Sequence, residues 1–230
     1  MPLDIIIPSA AVYDFKKHPF EKYYFLLLHE RAAMKITKNV VIGFIILIVV
    51  ASLYRIMPGR PYGFAPQIAM AIFGGAIIKD KKFAFLLPLL SMFISDTLYE
   101  ILYRNGVGNI YGFYEGQLTN YILFGLMTFF GFFIKNFNIG RIAIASVAAP
   151  TAYFLLSNFM IWISNSPYAG LQRPKTFNGL LLCLEDGLPF YPWSIAATLI
   201  FSAIFFGSYY FITKPSLLPV GDAVKQPRRT

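Results

Sequence analysis

Long apolar stretches separated by short polar ones dominate the chain from about residue 40 to residue 212. Runs of this kind read as helices that cross a lipid bilayer, at about 20 residues each. The first predicted span covers about Val40 to Leu53. It is almost purely aliphatic and ends in Tyr54-Arg55, the residue types of a membrane–water interface. The second covers about Phe64 to Ile78, with Pro66 near its start and Gly74-Gly75 inside. It is short for exposure to lipid, so it is expected to pack among other helices. The third covers about Phe83 to Leu102, with Pro88 inside, the fourth about Leu118 to Ile134, and the fifth about Ile142 to Ile163. The sixth covers about Trp193 to Ile212. A shorter segment, Phe177 to Leu188, contains Glu185-Asp186 and reads as a half-helix or interfacial helix. The expected fold class is therefore an all-α integral membrane protein of six transmembrane helices over residues 39–213. A basic N-terminal extension (1–38) and a basic tail (214–230) flank it. Met34 opens Met-Lys-Ile-Thr-Lys-Asn, which reads as a bacterial start, so residues 1–33 are expected to be a poorly structured extension or an upstream mis-assigned start.

Composition supports the membrane class. Only 13% of the 230 residues are charged and 57% are hydrophobic, against about 25% and 45–50% in soluble domains. One cysteine, Cys183, excludes an intrachain disulfide and a cysteine-based zinc site. The net charge of +9 is explained by its distribution. Fifteen of the 20 Lys and Arg fall in the N-terminus, the second-to-third and fourth-to-fifth turns, and the C-terminus. The other five (Arg55, Arg60, Arg104, Arg173 and Lys175) fall on the opposite side. By the positive-inside rule both termini are then cytoplasmic in the bacterial inner membrane, and no nucleic-acid partner is needed.

The face opposite the basic turns has longer loops, rich in aromatic and polar residues. Such loops either form an ordinary aromatic belt or cap a concave small-molecule site. Asp96 and Glu100, four apart, share a helix face near the outer end of the third span. An acid at such depth is expected to face the bundle interior and find a partner, with Arg55, Arg60 and Arg104 as candidates. That pairing is either structural, a substrate contact or part of a proton relay. Asn158 and Trp162, also four apart, place an amide and an indole on one face of the fifth span, suited to a flat polar ligand or to interhelical bonding. Gln67 follows Pro66, where a disturbed helix is tolerated only if it lines a cavity or is buried in protein. Ala71/Gly75 and Ala145/Ala149 form small-residue stripes suited to close helix contact.

Catalytic signatures are missing. There is no Gly-x-x-x-x-Gly-Lys-Ser/Thr, and His29-Glu30 lacks the second histidine of a zincin motif. The reading is therefore not an enzyme, with no cofactor and no metal site.

Certain blocks carry a family resemblance. Arg60-Pro61 with Phe64 to Gly75, Ser95-Asp96, Ser157-Asn158-Phe159 with Trp162, Tyr168, Asn178-Gly179-Leu180 with Cys183, and Leu188-Pro189-Phe190 together resemble an uncharacterised bacterial family of transport-type proteins. That family looks like a relative of the S components of energy-coupling factor transporters, small six-helix proteins that bind vitamins on the outer face. The resemblance implies an S-component-like bundle, a small-molecule substrate, and a transmembrane coupling subunit with ATPases as partner. The first span lacks the Ala-x-x-x-Ala docking pattern of S components, which leaves a solitary transporter open. The expected function is a substrate-binding membrane protein for a small organic nutrient, vitamin-like, with cobalamin one candidate. Arg60, Gln67, Asp96, Asn158 and Trp162, then Glu100 and Asn178, are the expected substrate-binding residues. The alternative is a non-transport subunit that anchors or assembles a larger envelope complex.

Overall fold

The computed structural model describes residues 38–135, 137–164 and 172–213. Residues 1–37 of the N-terminal extension, the basic tail, Asn165 and Tyr168 lie outside the described residues. Among those described, every regular element is helical. In chain order they are α1 (Lys38–Ile56), α2 (Gln67–Ile77), α3 (Lys81–Arg104), α4 (Gln117–Phe132), α5 (Ile139–Ser164), α6 (Phe177–Gly187), a 3₁₀ turn (Leu188–Phe190) and α7 (Tyr191–Thr213). The chain divides into two compact units, Met1–Phe44 and Ile45–Thr230. In the first, the described residues are the opening turns of α1. All packing below belongs to the second.

The helix ends follow local chemistry. Asp80 caps α3 by accepting from the Lys82 amide at 3.0 Å. Thr176 caps α6 by accepting from the Gly179 amide at 3.2 Å. Each side-chain oxygen satisfies a backbone donor that the first turn leaves without a partner. Pro66 precedes α2 directly, so that helix begins late, at Gln67.

The distribution of polarity is inverted relative to a soluble protein. Ile46, Ile144 and Ile212 are 57%, 70% and 82% exposed, whereas Ser52, Ser91 and Thr128 are fully buried. Apolar outside with hydroxyls inside is the arrangement lipid favours. Among the described residues, three stretches are long and apolar enough to cross a bilayer: Lys81–Arg104, Ile139–Ser164 and the continuous Phe177–Ile212.

Helix α2 is the exception that organises the rest. It has 11 residues, of which Gln67 to Gly75 are all buried. At 1.5 Å per residue it spans about 16 Å, half of the hydrocarbon thickness. It packs against α3, α4, α5 and α7 and is shielded by them. Its contact with α4 is glycine on glycine. A Cβ on Gly131 would lie 2.1 Å from the Ile72 carbonyl oxygen, and one on Gly75 would lie 2.3 Å from that of Thr128. The Ala71/Gly75 stripe thus serves close backbone approach, with Gly131 as its counterpart.

Candidate functional site

Because α2 is short and begins at Gln67, a hollow opens above its first turn. The cavity measures about 400 Å³. One stripe of α5 forms its longest wall: Pro150, Tyr153, Phe154, Ser157, Asn158 and Ile161. These positions repeat at three and four residues, a single helix face. Pro150 lacks the amide that would bond the Ser146 carbonyl, so the helix is interrupted where the wall begins. Asn120 and Phe124 of α4 face this wall, with Cys183, Asp186 and Gly187 of α6 beside it. Phe190, Tyr191 and Ser194 close another side. Arg55, Arg60, Gly63, Ala65 and Ile68 complete the lining.

Contacts within the lining fix its shape. Tyr191 stacks on Phe154 with ring centroids 4.7 Å apart, and its hydroxyl lies 2.9 Å from Thr151 Oγ1. Gly187 packs so close to Asn158 that a Cβ would meet the amide oxygen at 2.6 Å. The Asn158 Nδ2 donates to the Phe154 carbonyl at 2.7 Å, and the Cys183 thiol donates to the Asn158 carbonyl at 3.4 Å. No described residue hydrogen-bonds to Asn158 Oδ1. Tyr153 donates to Asn120 Oδ1, and Asn120 Nδ2 donates to the Tyr114 hydroxyl at 2.9 Å.

Next to the hollow lies a second polar cluster, centred on Asp96. This carboxylate is 1% exposed and does not line the cavity. It accepts from the Arg55 guanidinium, from Gln117 Nε2, and from the Tyr121 hydroxyl at 2.8 Å. Arg55 also donates to Ser95 Oγ at 2.6 Å, and its carbonyl accepts from the Tyr99 hydroxyl at 2.5 Å. Asp96 therefore pairs with Arg55, one of its three candidate partners. The pair ties α1 to α3, and Gln117 and Tyr121 bring in α4. Ser52, which donates to the Ser91 carbonyl at 2.9 Å, adds a second α1–α3 link one turn away.

The seven residues singled out in the sequence fall into two groups. Arg60 and Asn158 line the cavity. Gln67, Asp96, Glu100, Trp162 and Asn178 do not. Gln67 is 1% exposed, with its Nε2 3.5 Å from Ser91 Oγ and its Oε1 without a hydrogen bond among the described residues. Glu100 accepts from Arg104 Nε at 2.7 Å and from the Gly112 amide at 3.2 Å, holding the 105–116 loop against α3. Trp162 donates to the Pro174 carbonyl at 2.8 Å, and Lys175 sits over its ring at 5.4 Å. That indole pins the chain leading into α6. Asn178 is exposed in the first turn of α6. Tyr153 and Ser157 were not singled out, although their spacing from Pro150, Phe154 and Ile161 marks the same face. Gln117 and Tyr121, four apart on α4, carry the same kind of signal.

Asp186, at the rim, is held by Arg173 through two hydrogen bonds of 2.9 and 2.8 Å. Those bonds raise the Arg173 pKa above its usual value. Among the described residues, no three His, Cys, Asp or Glu side chains are placed to hold a metal ion.

A protein all-helical over its described residues, with membrane-type polarity and a partly polar hollow, is the class these features define. Over residues 35–220 the chain matches a family of unknown function, DUF6580, and it belongs to that family. No curated protein matches the chain, and no solved structure matches it.

Proposed function

We propose that this protein is a multi-pass protein of the bacterial inner membrane that binds a small organic nutrient in the cavity between α2, α4, α5 and α6. In this reading the chain crosses the bilayer six times, through α1, the Phe64–Ile78 segment that contains the short α2, α3 to α5, and α7, with both termini in the cytoplasm. The alternation of basic segments supports that topology. It puts Arg55, Arg60 and the cavity at the outer face. The S-component-like role follows from the same arrangement: an outward binding site on a small bundle, working alone or with a coupling subunit and its ATPases. The observation that carries the reading is the cavity of about 400 Å³. It falls in the range of small-molecule sites and shares their mixture of aromatic walls with a few convergent polar groups. A vitamin-sized molecule suits that volume better than cobalamin, whose corrin ring and nucleotide loop need several times the space.

The test is purification of the full chain from native membranes, followed by mass spectrometry of the small molecules and proteins that accompany it. A stoichiometric small molecule, together with cellular uptake of that compound that Asn158→Leu abolishes, is the expected result. A stable complex with a large envelope protein and no small molecule would replace this reading with that of an anchoring or assembly subunit.

A further inference from the structure

We infer that the cavity takes a small organic anion with an apolar body, its acidic group docked on Arg60. The inference rests on reading the cavity as a nutrient site. Three side chains of full charge face the hollow: Arg55, Arg60 and Asp186. Two of them are already neutralised, Arg55 by Asp96 and Asp186 by Arg173. Arg60 has no carboxylate partner among the described residues. It is held instead by backbone carbonyls, with Nε 3.2 Å from that of Arg55, and Nη1 3.3 Å from that of Pro61 and 2.8 Å from that of Phe64. Carbonyl dipoles orient a guanidinium without cancelling its charge. They leave Nη2 bonded to no described residue, and a guanidinium edge matches the geometry of a carboxylate or phosphate.

The surroundings narrow the class further. Ile68, Phe124, Phe154, Ile161 and Phe190 give most of the wall an apolar surface. Charge interactions are stronger beside such a wall than in water, so a cationic ligand is repelled and an anionic one retained. Asn158 Oδ1 has no partner among the described residues, so it is an acceptor for a ligand N–H or O–H. The ligand is then acidic at one end, aromatic or aliphatic in the middle, and a hydrogen-bond donor toward Asn158. A soluble metabolite acid and an anionic lipid share the acidic group, and the experiment separates them.

Full-length wild type, Arg60→Gln and Arg60→Lys are purified from native membranes, and the compounds they release are identified. Melting temperatures are then measured with 4-hydroxybenzoate, 4-aminobenzoate and 4-hydroxyphenylacetate beside the three corresponding amides. Wild type should release a water-soluble acid. Arg60→Gln should retain it about 10–100-fold less well, the usual effect of losing a hydrogen bond to a charged group. Arg60→Lys should keep most of it, and the carboxylates should stabilise wild type more than their amides. A neutral or cationic compound, or an acid held equally by folded Arg60→Gln, overturns the anion inference and leaves the nutrient reading standing. A membrane lipid as the released acid keeps the anion site and overturns the nutrient reading. No released compound and no stabilisation by any of the six probes overturns both.

Discussion

Arg55 and Arg60 lie five residues apart and both border the same hollow, yet their surroundings differ in kind. Arg55 meets a buried carboxylate that is itself saturated by Gln117 and Tyr121. Arg60 meets only carbonyl oxygens. The first arrangement is closed at the carboxylate: both Asp96 oxygens accept hydrogen bonds and the Arg55 charge is paired, so the cluster locks helices together. The second is open, because a formal charge without a counter-charge and an Asn158 acceptor without a hydrogen bond among the described residues both border the cavity. Saturation, rather than polarity alone, separates a structural cluster from a receptive one.

The largest effect should come from opening the closed cluster. Asp96→Ala leaves the half-buried Arg55 guanidinium without its counter-charge, which costs up to about 3–5 kcal/mol, the figure where fully buried pairs have been broken. A collapse in the yield of monodisperse protein, or a large drop in melting temperature, would register it. A near-normal melting temperature would mean that the pair is not structural. Next in size is the packing beneath both regions. Gly131→Val must push α4 away from α2, an overpacking cost of about 1–3 kcal/mol read from the same thermal transition. A double-mutant cycle with Tyr153→Phe and Asn120→Ala asks whether the cavity wall and the α4 network act together. Coupling of about 1 kcal/mol is expected for hydrogen-bonded neighbours.

The open region should respond in the opposite way. Asn158→Leu keeps the heavy-atom count and branching of the side chain and should cost about 1 kcal/mol of stability, while removing ligand binding and uptake. The smallest change belongs to Glu100→Gln, which retains an acceptor for the Gly112 amide and loses only an exposed ion pair. Its melting temperature and uptake should stay close to wild type. If Glu100→Gln abolished uptake, the border drawn here between loop anchors and binding residues would have to move.

Much of this architecture is legible in the sequence. Helices α1 to α5 and α7 sit where apolar runs predict crossings, and α6 occupies the polar half-helix segment, because the runs are long and their ends carry Pro, Asp or Thr. The burial of α2 follows from the shortness of its apolar run. Pairings across helices are harder. That Asp96 needs a partner is visible from one helix, but which of three arginines it meets depends on how α1 lies against α3, which no local pattern encodes. The same gap explains Trp162. It shares a helix face with Asn158, yet one further turn carries it past the rim to the Pro174 carbonyl. Gln67 is buried as expected, but beside Ser91 on α3 rather than facing the hollow. Asn158 was readable because an amide amid apolar residues stands out. Tyr153 and Ser157, which share its wall, were masked by the many tyrosines of a chain rich in interfacial aromatics.

The truncated length of α2 has a consequence of its own. A bundle whose members all reached both surfaces would be solid from end to end, and a receptacle could be made only by trimming side chains. Stopping one central column halfway leaves the vacancy in the main-chain scaffold itself. Side chains around it are then free to vary in chemistry without filling it. Exchanging wall residues alone then changes the chemistry of the hollow and leaves the foreshortened column as it is.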